Sequence, residues 1–322
     1  MFLFLAILCY YNSIMIKVFG HLSPDTDSAG SAILWAWFLQ NHTSTEAEAF
    51  VLGELNKETK FILNRWGIAE PKFLDKIESS DELVIVDTNV LEELLPGVND
   101  AKIIQVIDHH RLAGGLQTKS PVNLTIRPYA STASVIYGLL ESSHIENMPE
   151  NMAGLMLSCI LSDTLGFRSP TTTPHDKDVA EKLAARLNMD IPQYTDEMLR
   201  AKSDVSDFTD LGLIKIDSKK VTLGGSTVRV SVLETTCPQI VLDRKAGIVK
   251  AIGELINEES DLHDVLFFVI DILKEEAHCF TYNDYTKKII ADSFKVAVET
   301  DIEVLPGILS RKKQILPALL SE

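Results

Sequence analysis

The chain has 322 residues, enough for two domains with separate cores. Hydrophobic residues make up 46% and charged residues 24%, the balance of an ordinary globular protein. A formal charge of −16 argues against nucleic acid as a partner, because cationic side chains drive that binding; small phosphate compounds stay open, since bound cations and a local basic cleft outweigh a global field.

Residues 1–14 open the chain with a nearly apolar run. It lacks the positive stretch and cleavage site of a secretory signal and is shorter than the roughly 20 residues of a membrane span. The expectation is an extension ahead of a functional chain that begins near Met15, with a targeting segment as the alternative. No stable membrane partner is expected. Residues 17–20 then read as a strand, and 27–40 as the helix that follows it. Further helices are expected over 45–55 and 70–79, with strands over 83–86 and 103–107. Strand–helix alternation of this kind implies an α/β domain on a parallel sheet. Residues 131–142 and 152–161 read as helices, the latter delivering Asp163. The aspartate-rich stretch 195–210 has few large apolar residues and reads as an interdomain connection, with 15–197 before it, 198–210 as the hinge and 211–322 as a smaller α/β domain. There, 221–223 and 228–233 flank Gly224-Gly225-Ser226 as a hairpin; 246–257 reads as a helix and 265–272 as a buried strand.

Cys9, Cys159, Cys237 and Cys279 are far apart and form no closely spaced pair. That gives neither a zinc signature nor a disulfide framework, so four small buried hydrophobes in a reducing, cytoplasmic compartment are expected.

The residues that carry chemistry stand where apolar strands stop. His21, Asp25 and Asp27 follow the first strand, Asp87 ends a second, and Asp108-His109-His110 ends a third. The carboxyl ends of neighbouring parallel strands line one crevice, where such sheets bind ligands. Oxygen and imidazole donors gathered there suit manganese, cobalt or magnesium, and a two-metal, phosphate-hydrolysing centre is the expectation. Taken singly, Asp25 and Asp27 also read as helix caps and Asp87 as a turn residue. Asp108 is placed to orient a histidine ring, and Asp163, an acid at a helix C-terminus, opposes the helix dipole and implies a compensating cation. Arg311-Lys312-Lys313 offers a planar fork and point charges for phosphate; the apolar 315–320 segment would anchor it, and Lys219 would contribute from the same domain.

Together, Gly20-His21-Leu22-Ser23-Pro24-Asp25-Thr26-Asp27, Val86-Asp87-Thr88-Asn89, Asp108-His109-His110, Ser162-Asp163-Thr164-Leu165, Phe167-Arg168-Ser169-Pro170-Thr171 and Ser310-Arg311-Lys312-Lys313-Gln314 resemble the family II, manganese-dependent inorganic pyrophosphatases of the DHH phosphoesterase group. The last motif separates the pyrophosphatases from the wider group. Ser23 departs from the Asn of many relatives and is not a ligand. The resemblance implies hydrolysis of pyrophosphate to two phosphates by a hydroxide activated between two manganese ions per subunit, with cobalt or magnesium as alternatives. It implies that His21, Asp25 and Asp87 hold one ion and that Asp27, Asp87, His109 and Asp163 hold the other. His110, Lys219, Arg311 and Lys312 would bind the substrate and stabilise the leaving phosphate, with 195–210 as the hinge of domain closure. Relatives are commonly dimers, so a homodimer is expected.

The runner-up is another DHH phosphoesterase, acting on polyphosphate or short oligonucleotides. Against it, the chain has no Gly-Gly-Gly-His segment of the nucleotide-cleaving relatives, and it carries the S-R-K-K-Q element that polyphosphatase relatives lack. A catalytically dead scaffold should have lost ligands, and every matched position is intact.

Overall fold

A computed structural model describes residues 15–43 and 45–320; the apolar extension and Cys9 lie outside the described residues. Two compact units meet in the chain between Met198 and Leu199. The N-terminal unit begins with β1 (Ile16–Phe19), α1 (Thr26–His42), β2 (Ala47–Val51), α2 (Lys57–Arg65) and the short β3 (Lys72–Phe73). It continues through β4 (Glu82–Val86), β5 (Lys102–Asp108) and β6 (Asn123–Ile126). Five helices complete it: α3 (Thr132–Leu139), α4 (Ser142–Glu146), α5 (Glu150–Asp163), α6 (Pro174–Leu187) and α7 (Ile191–Lys202). The strands lie in the order β3-β2-β1-β4-β5-β6, and every neighbouring pair is parallel.

Both faces of this sheet are covered, which is why β1, β4 and β5 read as near-continuous apolar runs. Val18, Val84, Val86 and Ile107 face a core shared with α1, α3, α5 and α6. Phe19, Leu83, Ile85 and Ile103 face the other way, against Leu74, Ile77, Leu94 and Val98.

Four expectations need correction. Residues 45–55 hold β2 rather than a helix, because the Glu46-Ala47-Glu48-Ala49 pattern lies in register against β1. Residues 70–79 hold only the two-residue β3; the spacing of Leu74 and Ile77 comes from an irregular segment that covers the sheet. Residues 195–202 are the last turns of α7, with Met198 and Leu199 buried, so the open stretch is confined to 203–209. The helix expected over 131–142 ends at Leu139, where Leu140 turns to extended backbone.

The C-terminal unit comprises α8 (Asp210–Lys215), β7 (Asp217–Leu223), β8 (Ser226–Thr235), α9 (Gln239–Leu242), α10 (Lys245–Glu258), β9 (Asp264–Asp271), β10 (Glu276–Phe280), α11 (Asp284–Phe294), β11 (Ile302–Pro306) and α12 (Leu316–Leu320). Its sheet has the order β11-β10-β9-β8-β7 and is mixed, with β8 and β9 parallel and the other pairs antiparallel. Gly224 and Gly225 make the expected hairpin turn with φ of 53° and 86°, a left-handed pair that glycine adopts without strain. Every residue of β9 is buried, because cores lie on both of its faces. Lys219 stands within β7, not ahead of it, since pairing with β8 begins at Asp217. Ile315 and Leu319 are buried, which anchors the end of the chain as expected. Cys159 and Cys279 are buried and Cys237 is half-buried. Among the described residues no helix is long and apolar enough to cross a membrane.

The contact between α1 and α5 bears most on the site, because α1 starts beside Asp25 and Asp27 and α5 ends on Asp163. A Cβ at Gly30 would lie 2.2 Å from Cys159 Sγ and 3.3 Å from Leu155 Cδ1. The Cys159 thiol in turn donates to the Thr26 carbonyl at 3.3 Å. Gly30→Ala gains about 1 kcal/mol of helix propensity but must force the helices apart at a typical cost of about 1–3 kcal/mol. The expected result is a lower denaturant midpoint, restored in part by adding Cys159→Ala. An unchanged midpoint in the single variant would contradict the tight contact.

Candidate metal centre

His21 follows β1, Asp87 follows β4, and Asp108 is the last residue of β5. The sheet reverses its order between β1 and β4, and the crevice outside such a switch point is where open α/β sheets take ligands. A cleft of about 830 Å³ lies there, lined among others by His21, Asp25, Asp87, His109, His110 and Asp163.

Asp25 does cap α1, its Oδ1 accepting from the Ser28 amide at 3.0 Å. Asp27 does not cap its own helix. Fully buried, it accepts from the Ser131 hydroxyl at 2.7 Å and from the Thr132 and Ala133 amides at 2.6 and 3.1 Å. The α3 N-terminus, where unpaired amides and the dipole favour an anion, thus docks on α1 through one carboxylate.

Asp87 has φ of 60°, a left-handed conformation that costs a residue with a side chain about 1 kcal/mol or more and marks functional turns. Its two oxygens face different imidazoles. Oδ1 is 3.3 Å from His109 Nε2 and accepts from Thr132 Oγ1 at 3.0 Å, while Oδ2 is 3.4 Å from His21 Nε2. His21 Nε2 is also 3.9 Å from Asp25 Oδ1, and His109 Nε2 is 3.8 Å from Asp163 Oδ2. Most of these gaps exceed ordinary hydrogen-bond lengths, yet the shorter ones match the roughly 3.3 Å between two ligands of one ion with bonds near 2.1 Å. Three overlapping ligand-type groups result here, His21 with Asp25 and Asp87, Asp27 with His109 and Asp163, and Asp87 with His109 and His110; the donor atoms within each lie within 4.8 Å of one another. The donor set is carboxylate and imidazole, which suits manganese, cobalt or magnesium rather than a thiophilic ion.

The rings are held for this purpose. His109 Nδ1 donates to the Tyr129 carbonyl at 3.1 Å, so Nε2 faces Asp87 and Asp163 and would present a lone pair to an ion once deprotonated. His110 Nδ1 lies 2.9 Å from Asp108 Oδ1, which also accepts from the His109 and His110 amides. Asn89 donates to the other Asp108 oxygen at 2.5 Å. Asp108 is therefore an orienting residue, as its place in the triplet suggested.

The charges are in conflict. Burial and the nearby Asp87 carboxylate push Asp27 up to about 7. Asp163 is raised by burial and by Asp27 and Asp87. Burial alone would raise Asp87 too, but the His109 and His21 imidazoles outweigh it and hold it well below the usual carboxylate range. For His109 burial works downward, yet Asp87 and Asp27 carry the ring up to about 9.

The C-terminal unit holds the remaining candidates. Arg311 Nη2 pairs with Asp217 Oδ1 at 2.7 Å, while its buried Nε and Nη1 have no hydrogen-bond partner. Lys219 is two residues along β7 from Asp217, on the same face, and is exposed, as is Lys312. The turn that presents Arg311 and Lys312 is braced by its neighbours. Ser310 Oγ accepts from the Lys313 amide, and Gln314 accepts from the Leu309 and Ser310 amides while donating to the Gly307 carbonyl.

Sequence reasoning missed Ser131, Thr132, Tyr129 and Glu58. Glu58 is buried and accepts from Thr26 and Ser162, the chain neighbours of Asp27 and Asp163, and so ties the α1 start to the α5 end. Ser131 had a readable signal, a cap residue before an apolar helix; the Tyr129 carbonyl had none.

Divalent ions bind deprotonated ligands, so uptake must expel protons that Asp27 and His109 hold below their raised pKa values. Manganese affinity should therefore climb as pH rises through about 7 and on toward about 9. Calorimetry in buffers of different ionisation enthalpy should record proton release; heats independent of buffer would contradict it.

Residues 15–160 match the DHH family, N-terminal domain, and residues 196–321 match the DHHA2 domain. Proteins of Streptococcus thermophilus (strain CNRZ 1066) and Shouchella clausii (strain KSM-K16), each named probable manganese-dependent inorganic pyrophosphatase, are 34% and 35% identical over 94% of this chain, covering 97% and 96% of their own lengths. A crystal structure from Methanococcus jannaschii, named "putative family II inorganic pyrophosphatase", shares 34% identity with a TM-score of 0.59, the match covering 95% of this chain and 98% of that one. With likeness of this extent across both units, the chain belongs to the family II, manganese-dependent inorganic pyrophosphatases of the DHH phosphoesterase superfamily.

Proposed function

We propose that this protein hydrolyses inorganic pyrophosphate to two phosphates with manganese as its cofactor. The observation that carries the reading is the Asp87 carboxylate, whose two oxygens face the histidines of two separate ligand groups. His21, Asp25 and Asp87 would hold one ion, and Asp27, Asp87, His109 and Asp163 the other, with Asp87 shared between them. Two ions so held would lower the pKa of an attacking water and draw charge from the phosphoryl oxygens.

The rest falls to the chain's own side chains. The hydrogen bond from His110 Nδ1 to Asp108 raises the His110 pKa and so favours the imidazolium, whose second proton, on Nε2, would be donated toward a phosphate oxygen. Arg311, whose buried Nε and Nη1 lack hydrogen-bond partners, would donate to phosphate, while Lys312 and Lys219 would add point charges that offset the charge of the departing phosphate. By the same likeness the working assembly would be a cytoplasmic homodimer.

Chelator-stripped protein given manganese should release phosphate from pyrophosphate and leave polyphosphate and short oligonucleotides intact. Cleavage of either of those with pyrophosphate untouched would transfer the centre to another phosphoesterase reaction. Arg311→Ala and Lys312→Ala should each lower kcat about 10²–10³-fold with bound manganese unchanged, whereas Asp87→Ala should lose manganese. Metal loss in the arginine or lysine variant, or full retention in the Asp87 variant, would break this division of roles.

A further inference from the structure

The β9–β10 hairpin of the C-terminal unit carries a separate set of ligand-type side chains. Asp271 closes β9, while Glu276 and His278 lie at the start of β10. The antiparallel register sets Asp271 directly opposite Glu276, with His278 two residues further along the same strand. Directly paired and alternate residues share one face of a sheet, so backbone geometry alone sends all three side chains to one side. A carboxylate oxygen from each acid and a ring nitrogen of His278 converge within 4.8 Å.

His278 is the residue that demands a ligand. It is 9% exposed, and its buried Nε2 has no hydrogen-bond partner. A buried polar group left unmatched costs about 1–3 kcal/mol, and in a native protein it points to a bound water or ion. Nε2 lies 3.4 Å from Glu276 Oε1, near the roughly 3.3 Å expected of two ligands on one tetrahedral ion. Asp271 is held in place, its Oδ1 accepting from the Leu273 and Lys274 amides at 3.0 and 3.1 Å. The Lys274 ammonium is a loose counter-charge, 4.0 Å from Asp271 Oδ2 and 3.8 Å from Glu276 Oε1 on a side chain 68% exposed, so an ion can displace it.

We propose that Asp271, Glu276 and His278 bind a divalent transition ion, zinc in the first instance, at a site distinct from the centre around Asp87. One imidazole and two carboxylates leave a coordination position for water, as in open zinc sites. The location gives the ion a structural consequence. Glu276 pairs on its other side with Pro306 of β11, and the Gly307 amide donates to the Glu275 carbonyl. The turn bearing Arg311 and Lys312 departs from this same corner, so an ion on Glu276 fastens the strand ends from which it springs.

Equilibrium dialysis of the full chain against zinc, followed by elemental analysis, tests the assignment. His278→Gln and, as a conservative second variant, Asp271→Asn should each hold one ion fewer per chain than the parent, with circular dichroism confirming that both are folded. Zinc should also raise the parent's melting temperature more than that of either variant. Equal ion counts in the parent and any folded variant would overturn the site and leave His278 Nε2 to water. The readout is a difference between chains that share the Asp87 centre, so failure of the two-metal reading would leave it intact.

Discussion

A carboxylate taken out of water must be surrounded by donors or by positive charge, and Asp87 is 2% exposed at the end of a strand buried on both faces. Its partners come from three directions: His21 after β1, His109 after β5, and the Thr132 hydroxyl at the head of α3. Each is fixed by something behind it. His109 leans on the Tyr129 carbonyl, and Thr132 belongs to a helix end docked on Asp27. Asp87 can tolerate its left-handed backbone because the residues around it over-determine its place.

The two units reach precision by different means. In the N-terminal unit the candidate ligands are set by strand ends and helix termini, so their spacing follows from sheet register and from the close α1–α5 packing at Gly30. In the C-terminal unit the basic turn carries its own bracing. Ser310 and Gln314 hydrogen-bond to the segment they flank, and Ile315 and Leu319 tether it to the core. In the S-R-K-K-Q motif the outer two residues thus brace the turn, Lys312 and Lys313 are exposed, and Arg311 is held against Asp217.

The candidate ligands His21, Asp87 and His109 were legible in the sequence because each follows an apolar strand, and a parallel sheet collects such positions at one edge; Asp163 comes instead from a helix end. The strand–helix order was legible for the same reason wherever runs were long. Residues 45–55 misled because Glu and Ala favour helices by propensity, and pairing with β1 overrides that preference. Residues 70–79 misled because Leu74 and Ile77 have helical spacing without a helix. What orients His109 was not legible at all: it is a main-chain carbonyl, which carries no residue identity. Ser131 and Thr132 were overlooked because a helix cap has the same appearance whether it faces solvent or a carboxylate.

The carboxylate of Asp27 meets partners 104 to 106 residues further along the chain. Contacts so distant in sequence close large loops and form late, after local helices and adjacent strands. A nascent chain that has passed β5 already contains the Asp108-His109-His110 triplet but still lacks the helix end that pins Asp27. The centre is therefore complete only when nearly the whole N-terminal unit has been synthesised and assembled. An ion held by all of these residues together would therefore find its full set of donors only once that assembly is complete.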